Sequence, residues 1–185
     1  MSDTNRTGNI MRKSLWHLAA VASASVVALA VSAAPASAAV TGDTATTFSL
    51  AGGSLSITVA AAAALTDGNT GSASVTGSLG NTTVTDARGG VVTWSANGSS
   101  TTFTTGSGNP ASTAVSYTAG AMTTSGTIVI TPGTAKTLTT TPVKVAGPTG
   151  VVGNNTAQWN PTLTVSLPGD AIAGDYAGTV TTSVS

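Results

Sequence analysis

From about residue 39 onward, apolar side chains alternate with Ser and Thr in short runs. In Ser54-Leu55-Ser56-Ile57-Thr58-Val59 the apolar positions are 55, 57 and 59, and in Thr162-Leu163-Thr164-Val165-Ser166-Leu167 they are 163, 165 and 167. A period of two sends one set of side chains to a buried face and the other to water, the pattern of a half-buried β-strand. Weaker runs of the same kind predict strands at 46–50, 72–77, 82–86, 91–96, 101–105, 113–118, 126–131, 138–145 and 176–184. Turn formers separate them, among them Gly52-Gly53, Asp67-Gly68-Asn69, Gly89-Gly90, Pro132-Gly133, Asn154-Asn155 and Pro168-Gly169-Asp170.

No stretch of this region has helical periodicity with caps at both ends. The run 60–65 is helix-prone but too short to hold a helix by itself, so it reads as a strand end or a single turn. Parallel strands would need crossovers of a dozen or more residues, which the spacing does not provide. The expected fold is therefore all-β, an antiparallel immunoglobulin-like β-sandwich with Greek-key connections. Residues 131–150, with Pro132, Pro142 and Pro148, read as an edge strand flanked by loops, because proline cannot donate to a ladder. The run from Leu167 to Tyr176 resembles the corner before the last strand of many sandwiches, where a Tyr hydroxyl reaches back to a backbone group.

The first residues follow a different rule. Arg6, Arg12 and Lys13 precede an apolar run at 15–31, and Ala36-Ser37-Ala38 offers small residues for cleavage. We read 1–38 as a cleavable secretory signal peptide and 39–185 as a single β-sandwich domain, secreted and associated with the cell surface. An uncleaved anchor is the competing reading, but Ser23, Ser25 and the break at Ser32 to Pro35 weaken the run as a bilayer span. No membrane span is expected after processing.

That reading limits the available chemistry. The single histidine, His17, lies in the leader, and the chain has neither cysteine nor glutamate. Imidazole, thiolate and a tuned Glu are the usual bases and nucleophiles, so catalysis is not expected and no cofactor is implied. Five aspartates in 39–185 lack Asp-x-Asp spacing, Asp67-Gly68-Asn69 lacks the further ligands of a calcium loop, and no metal site is expected. Asp170 and Asp175 as a glycosidase pair are the weakest of the readings weighed. Only Arg88, Lys136 and Lys144 carry positive charge beyond the leader, which argues against nucleic acid as a partner.

The most specific stretch is Val84-Thr85-Asp86-Ala87-Arg88-Gly89-Gly90-Val91-Val92-Thr93-Trp94, with Phe103 following. It reads as strand, glycine turn, strand, with Trp94 a large body in a core of small residues. This Asp-x-Arg-Gly turn before a Trp strand resembles the first half of the WxL-type domains of Gram-positive surface proteins and of related actinobacterial secreted proteins. Asp86, Arg88, Gly89 and Trp94 match that pattern, while Ala96 stands where the signature has Leu and a second Trp-x-Leu is absent. The resemblance implies non-covalent attachment to peptidoglycan or an associated glycan.

The candidate ligand-binding residues are Trp159, Trp94, Asp86 and Arg88. Each has a structural alternative: Trp94 as a core anchor, Asp86 and Arg88 as an exposed pair pinning a hairpin. Trp159, between Asn154-Asn155 and Asn160-Pro161, is expected to be partly exposed, with a strand-start anchor as the alternative. The rival function is a self-assembling structural subunit of fimbrial or surface-layer type. It would be a homo-oligomer, or bind other surface proteins, through the uncharged strand at 176–184.

Overall fold

The computed structural model describes residues 41–106 and 111–185, so the leader and its processing point lie outside the described residues. Eleven strands and no helix occur there. Residues 47–185 form one unit; the described residues of the preceding unit, 41–46, are exposed and without regular structure.

One sheet has β1 (Leu55–Thr58), β3 (Thr82–Asp86), β9 (Gly150–Trp159) and β6 (Met122–Val129) in the order β1-β3-β9-β6. A second contains β2 (Ser74–Ser78), β10 (Thr162–Ser166), β5 (Ala114–Thr118) and β7 (Lys136–Leu138) in the order β2-β10-β5-β7. A third has β11 (Val180–Val184), β4 (Ala96–Ser100) and β8 (Val143–Ala146), and Ser100 N–H bonds to Thr139 C=O where it meets the second. Every strand pairing is antiparallel.

The alternation in the sequence sets which side chains meet. Val84 of β3 and Ala157 and Trp159 of β9 face the same core as Val115 and Tyr117 of β5, Leu163 and Val165 of β10, and Ala96 and Val145 of the third sheet. Inward faces of all three sheets share one core, which gives the molecule its β-sandwich character. Because most of these residues are small, Trp94, Trp159 and Tyr117 supply the bulk.

The strands expected around 54–59, 82–86, 113–118 and 162–167 lie where the alternation puts them. Others differ. Residues 91–96 and 101–105 flank a single strand at 96–100, with Thr104 contributing only an isolated bridge to Ala177. The segment 138–145 is two strands: β7 edges the second sheet and β8 edges the third. Residues 46–50 form no strand, and Phe48 and Leu50 are 84% and 88% exposed. Leaving two such side chains in water forgoes about 1.5–3 kcal/mol each.

The largest departure is β9, ten residues long and central to its sheet, which runs straight through Asn154-Asn155 where the sequence suggested a turn. Two glycines make this passage possible. Ser125 pairs with Thr156 and Thr127 with Val152, so three residues of β9 bulge opposite the single Gly126 of β6. Gly153 has φ +72° and Gly126 φ +85°, and a Cβ on Gly126 would collide with the Asn154 carbonyl oxygen.

Gly126→Ala should therefore cost at least about 1 kcal/mol, from the left-handed backbone alone, with the collision adding to it. Gly150→Ala, where a new Cβ meets nothing within 4 Å, should stay within about 0.5 kcal/mol of the parent. Urea unfolding of both variants measures the difference.

Candidate functional site

Period two carries Asp86 inward at the end of β3, two residues after the fully buried Val84, and Asp86 is 2% exposed. A carboxylate there must be compensated, because burying an unpaired charge costs several kcal/mol. Arg88 supplies the partner: Nε donates to Oδ1 at 2.9 Å, Nη2 to Oδ2 at 2.9 Å, and its backbone N–H to Oδ1 at 3.1 Å. Nη2 also donates to the Thr93 carbonyl at 3.2 Å. The side-chain bonds from Arg88 hold the Asp86 carboxyl below the usual carboxylate range, against the upward push of burial.

Next to this pair, the Trp94 indole N–H donates to Asn155 Oδ1 at 3.1 Å, and Asn155 Nδ2 donates to the Gly153 carbonyl at 3.2 Å. Asn155 is the direct cross-strand partner of Asp86. Gly153 N–H in turn bonds to Gly90 C=O at 2.6 Å, and Gly89 and Gly90 take φ of +72° and +70° to make the reversal. The Asp-x-Arg-Gly-Gly stretch thus closes a loop onto the bulge of β9.

Two expectations are corrected here. The stretch is not a hairpin, since β3 and β4 belong to different sheets; the Asp86–Arg88 pair fixes the crossing between them. Nor is the pair exposed at both ends, because the inward phase of β3 buries Asp86 while the Arg88 side chain remains 30% exposed. Trp94, 2% exposed, is the core anchor that its size suggested.

Trp159 is also corrected. It is 1% exposed, not partly open, because it falls on the inward phase of β9 with Asn155 and Ala157. Its indole N–H donates to the Tyr117 hydroxyl at 2.8 Å. Burial pushes the Tyr117 phenol above its ordinary value, opposed by its bonds with Trp159 and Thr82. Of the four candidate residues, only the Arg88 guanidinium retains access to a partner, and its donors are largely spent on Asp86 and Thr93.

Asn155 is the residue the sequence reading missed. The spacing Asn155-x-Ala157-x-Trp159 holds the signal, but the paired asparagines pointed to a turn. The Tyr176 hydroxyl donates to the Ile172 carbonyl at 3.2 Å, giving the corner expected before β11. Among the described residues no group of three His, Cys, Asp or Glu could hold a metal, and no helix is long and apolar enough to cross a membrane.

The outer face of the first sheet offers a different kind of surface. Register aligns Thr58, Thr83, Gln158 and Thr123 in one row across four strands, and Ser56, Thr85, Thr156 and Ser125 in the next. Rows are about 7 Å apart along the strands and positions about 4.8 Å apart across them. The Gln158 amide donates to Thr83 Oγ1 at 3.0 Å, and no other side-chain hydrogen bond joins these eight residues. The second sheet has a similar row, but Thr76 Oγ1 there is already spent on the Leu163 carbonyl and on Thr164.

No family model, no curated protein and no solved structure matches this chain.

With its folded pKa below the ordinary value near 3.9, Asp86 contributes stability that is complete above that value and lost as pH falls through the folded pKa. The thermal midpoint should thus fall on acidification below about pH 4, and Asp86→Asn should flatten that fall. Arg88→Ala should lower the midpoint at neutral pH by more than Asp86→Asn does, because it strands a buried carboxylate. Calorimetry across pH 2 to 7 would register both effects.

Proposed function

We propose that this is a secreted, non-catalytic surface protein whose immunoglobulin-like β-sandwich, joined by Greek-key connections, associates non-covalently with a cell-wall polymer, peptidoglycan or an attached glycan. The observation that carries this reading is the uncharged double row of hydroxyl and amide groups on the first sheet. Each hydroxyl can donate and accept, which suits a ligand that is itself rich in hydroxyls. A single net hydrogen bond contributes only about 0.5–1.5 kcal/mol, so binding would come from several contacts along an extended polymer. The likeness to WxL-type domains supports the same reading at a distance, since Asp86, Arg88, Gly89 and Trp94 would shape the fold and not touch the ligand.

Purified cell walls should bring the protein down on centrifugation, with little dependence on salt because the face has no charge. Thr85→Lys with Thr123→Lys should weaken that binding by more than about tenfold, the equivalent of roughly 1.4 kcal/mol. Thr137→Lys, at the edge of the second sheet, should leave it unchanged. Protein that stays in the supernatant at every wall concentration would refute wall association.

The second reading is a self-assembling structural subunit, favoured by the sheet edges. β6 is an eight-residue edge strand with no charge and no proline, and β11 is an uncharged edge of the third sheet. Lysine, proline or a covering loop usually blocks such edges. Concentration-dependent oligomers without wall binding would favour this reading.

A further inference from the structure

We infer that copies of this chain link head to tail, the segment at residues 47–50 of one copy occupying an uncharged cleft beside β11 of the next. This goes beyond wall association and rests on the self-assembly reading, for which it names the contact. Thr47-Phe48-Ser49-Leu50 has the alternation of a strand, yet it is in no sheet and bonds to none of the described residues. Phe48 is one of only two phenylalanines in the chain and stands almost fully in solvent. In a protein so poor in large apolar side chains, two of them held outside the fold form an unsatisfied donor.

The same molecule has an unfilled acceptor. A cleft of about 300 Å³ opens between residues 59–65 and β11, where Leu65, Leu79, Phe103 and Val180 share the lining with Thr82, Thr179 and Thr182. At about 30 Å³ per water that is room for about ten waters, enough to admit the Phe48 and Leu50 side chains. Val59 is 45% exposed there, although its strand partners face the core. β11 pairs with β4 on one side and approaches β1 on the other, so the segment would enter by its alternate side chains through the mouth of the cleft and not as an added strand.

Donor and acceptor sit at opposite ends of β1. Gly53 N–H bonds to Ala87 C=O and Ala87 N–H to Ser54 C=O, rooting the segment at the start of β1, whereas Val59 follows its end. Contacts made one at a time between two different patches run on head to tail into chains or rings, whereas a reciprocal two-fold exchange would stop at a dimer, an outcome that would overturn the head-to-tail linkage. The occupant carries no charge and neither does the cleft wall, so association should be insensitive to salt.

The absence of native cysteine makes the contact directly testable. Mixing two separately purified variants, Leu50→Cys and Thr182→Cys, under mild oxidation should give a disulfide-linked heterodimer, and sedimentation of the parent protein should show a ladder of oligomers growing with concentration. Phe48→Ser with Leu50→Ser should shift that ladder to at least tenfold higher concentration with an unchanged melting temperature, because neither side chain is packed. Oligomers that persist in this double variant and give no linked heterodimer would leave edge-strand self-assembly standing and overturn the segment's role. A protein monomeric at every concentration would overturn both, and so would a chain carrying both cysteines that closes only on itself overturn the intermolecular contact.

Discussion

The Asp86 carboxylate is the constraint on which the arrangement of the sheets depends. Strand periodicity leaves it no outward option, since Val84 two positions earlier is completely buried. Compensation has to come from a residue near in sequence, and Arg88 reaches it only because the chain leaves β3 immediately and reverses at Gly89 and Gly90. That reversal brings Thr93 to the guanidinium and Trp94 to Asn155, and it brings Gly90 to the bulge of β9. One buried charge thus couples the strand before the crossing, the loop that makes it and the central strand of the first sheet. A buried ion pair of this kind is weak as a source of net stability but strong as a constraint on geometry.

Small side chains govern the rest of the interior. Ala96, Ala146 and Ala157 occupy inward positions, and Gly98 lies so close to Val145 and Leu138 that an added Cβ would sit 3.1 and 3.3 Å from them. Layers that approach this closely leave room for few large residues. The two indoles and Tyr117 are therefore internal pillars, each with its polar atom bonded: Trp159 to Tyr117, Trp94 to Asn155. The structure cannot release either tryptophan to a ligand without emptying the centre of its core. On the proposed function, recognition would therefore fall to the hydroxyl-bearing outer face and not to the aromatics.

The sequence made the class of fold plain and much of the strand pattern, because clean alternation, as in β1, β3, β5 and β10, needs no tertiary help to be read. It was less informative where two local signals conflict. Asn154-Asn155 has turn composition, yet Gly126 on a neighbouring strand absorbs the bulge and keeps β9 continuous; that compensation lies about thirty residues away and is invisible locally. Trp159 was misjudged for the same reason, since its inward phase depends on β9 being a strand. Residues 46–50 erred in the other direction: their alternation is that of a strand, but no edge in the same molecule receives them. The site was hardest to read, because a row of Thr and Ser becomes a surface only when register aligns positions from β1, β3, β9 and β6.

The two proposals make a single physical argument. A neutral hydroxyl face gains little from each hydrogen bond, since every contact with a ligand replaces one with water. Such a face holds an insoluble polymer firmly only if many copies bind together, where the second and later contacts form at the high effective concentration set by the first. Head-to-tail linkage through residues 47–50 and the cleft beside β11 would provide that multiplicity while leaving the face of the first sheet open in every copy. Wall retention would then scale with the length of the assembly, and a subunit unable to link would bind as weakly as its individual hydroxyl contacts allow.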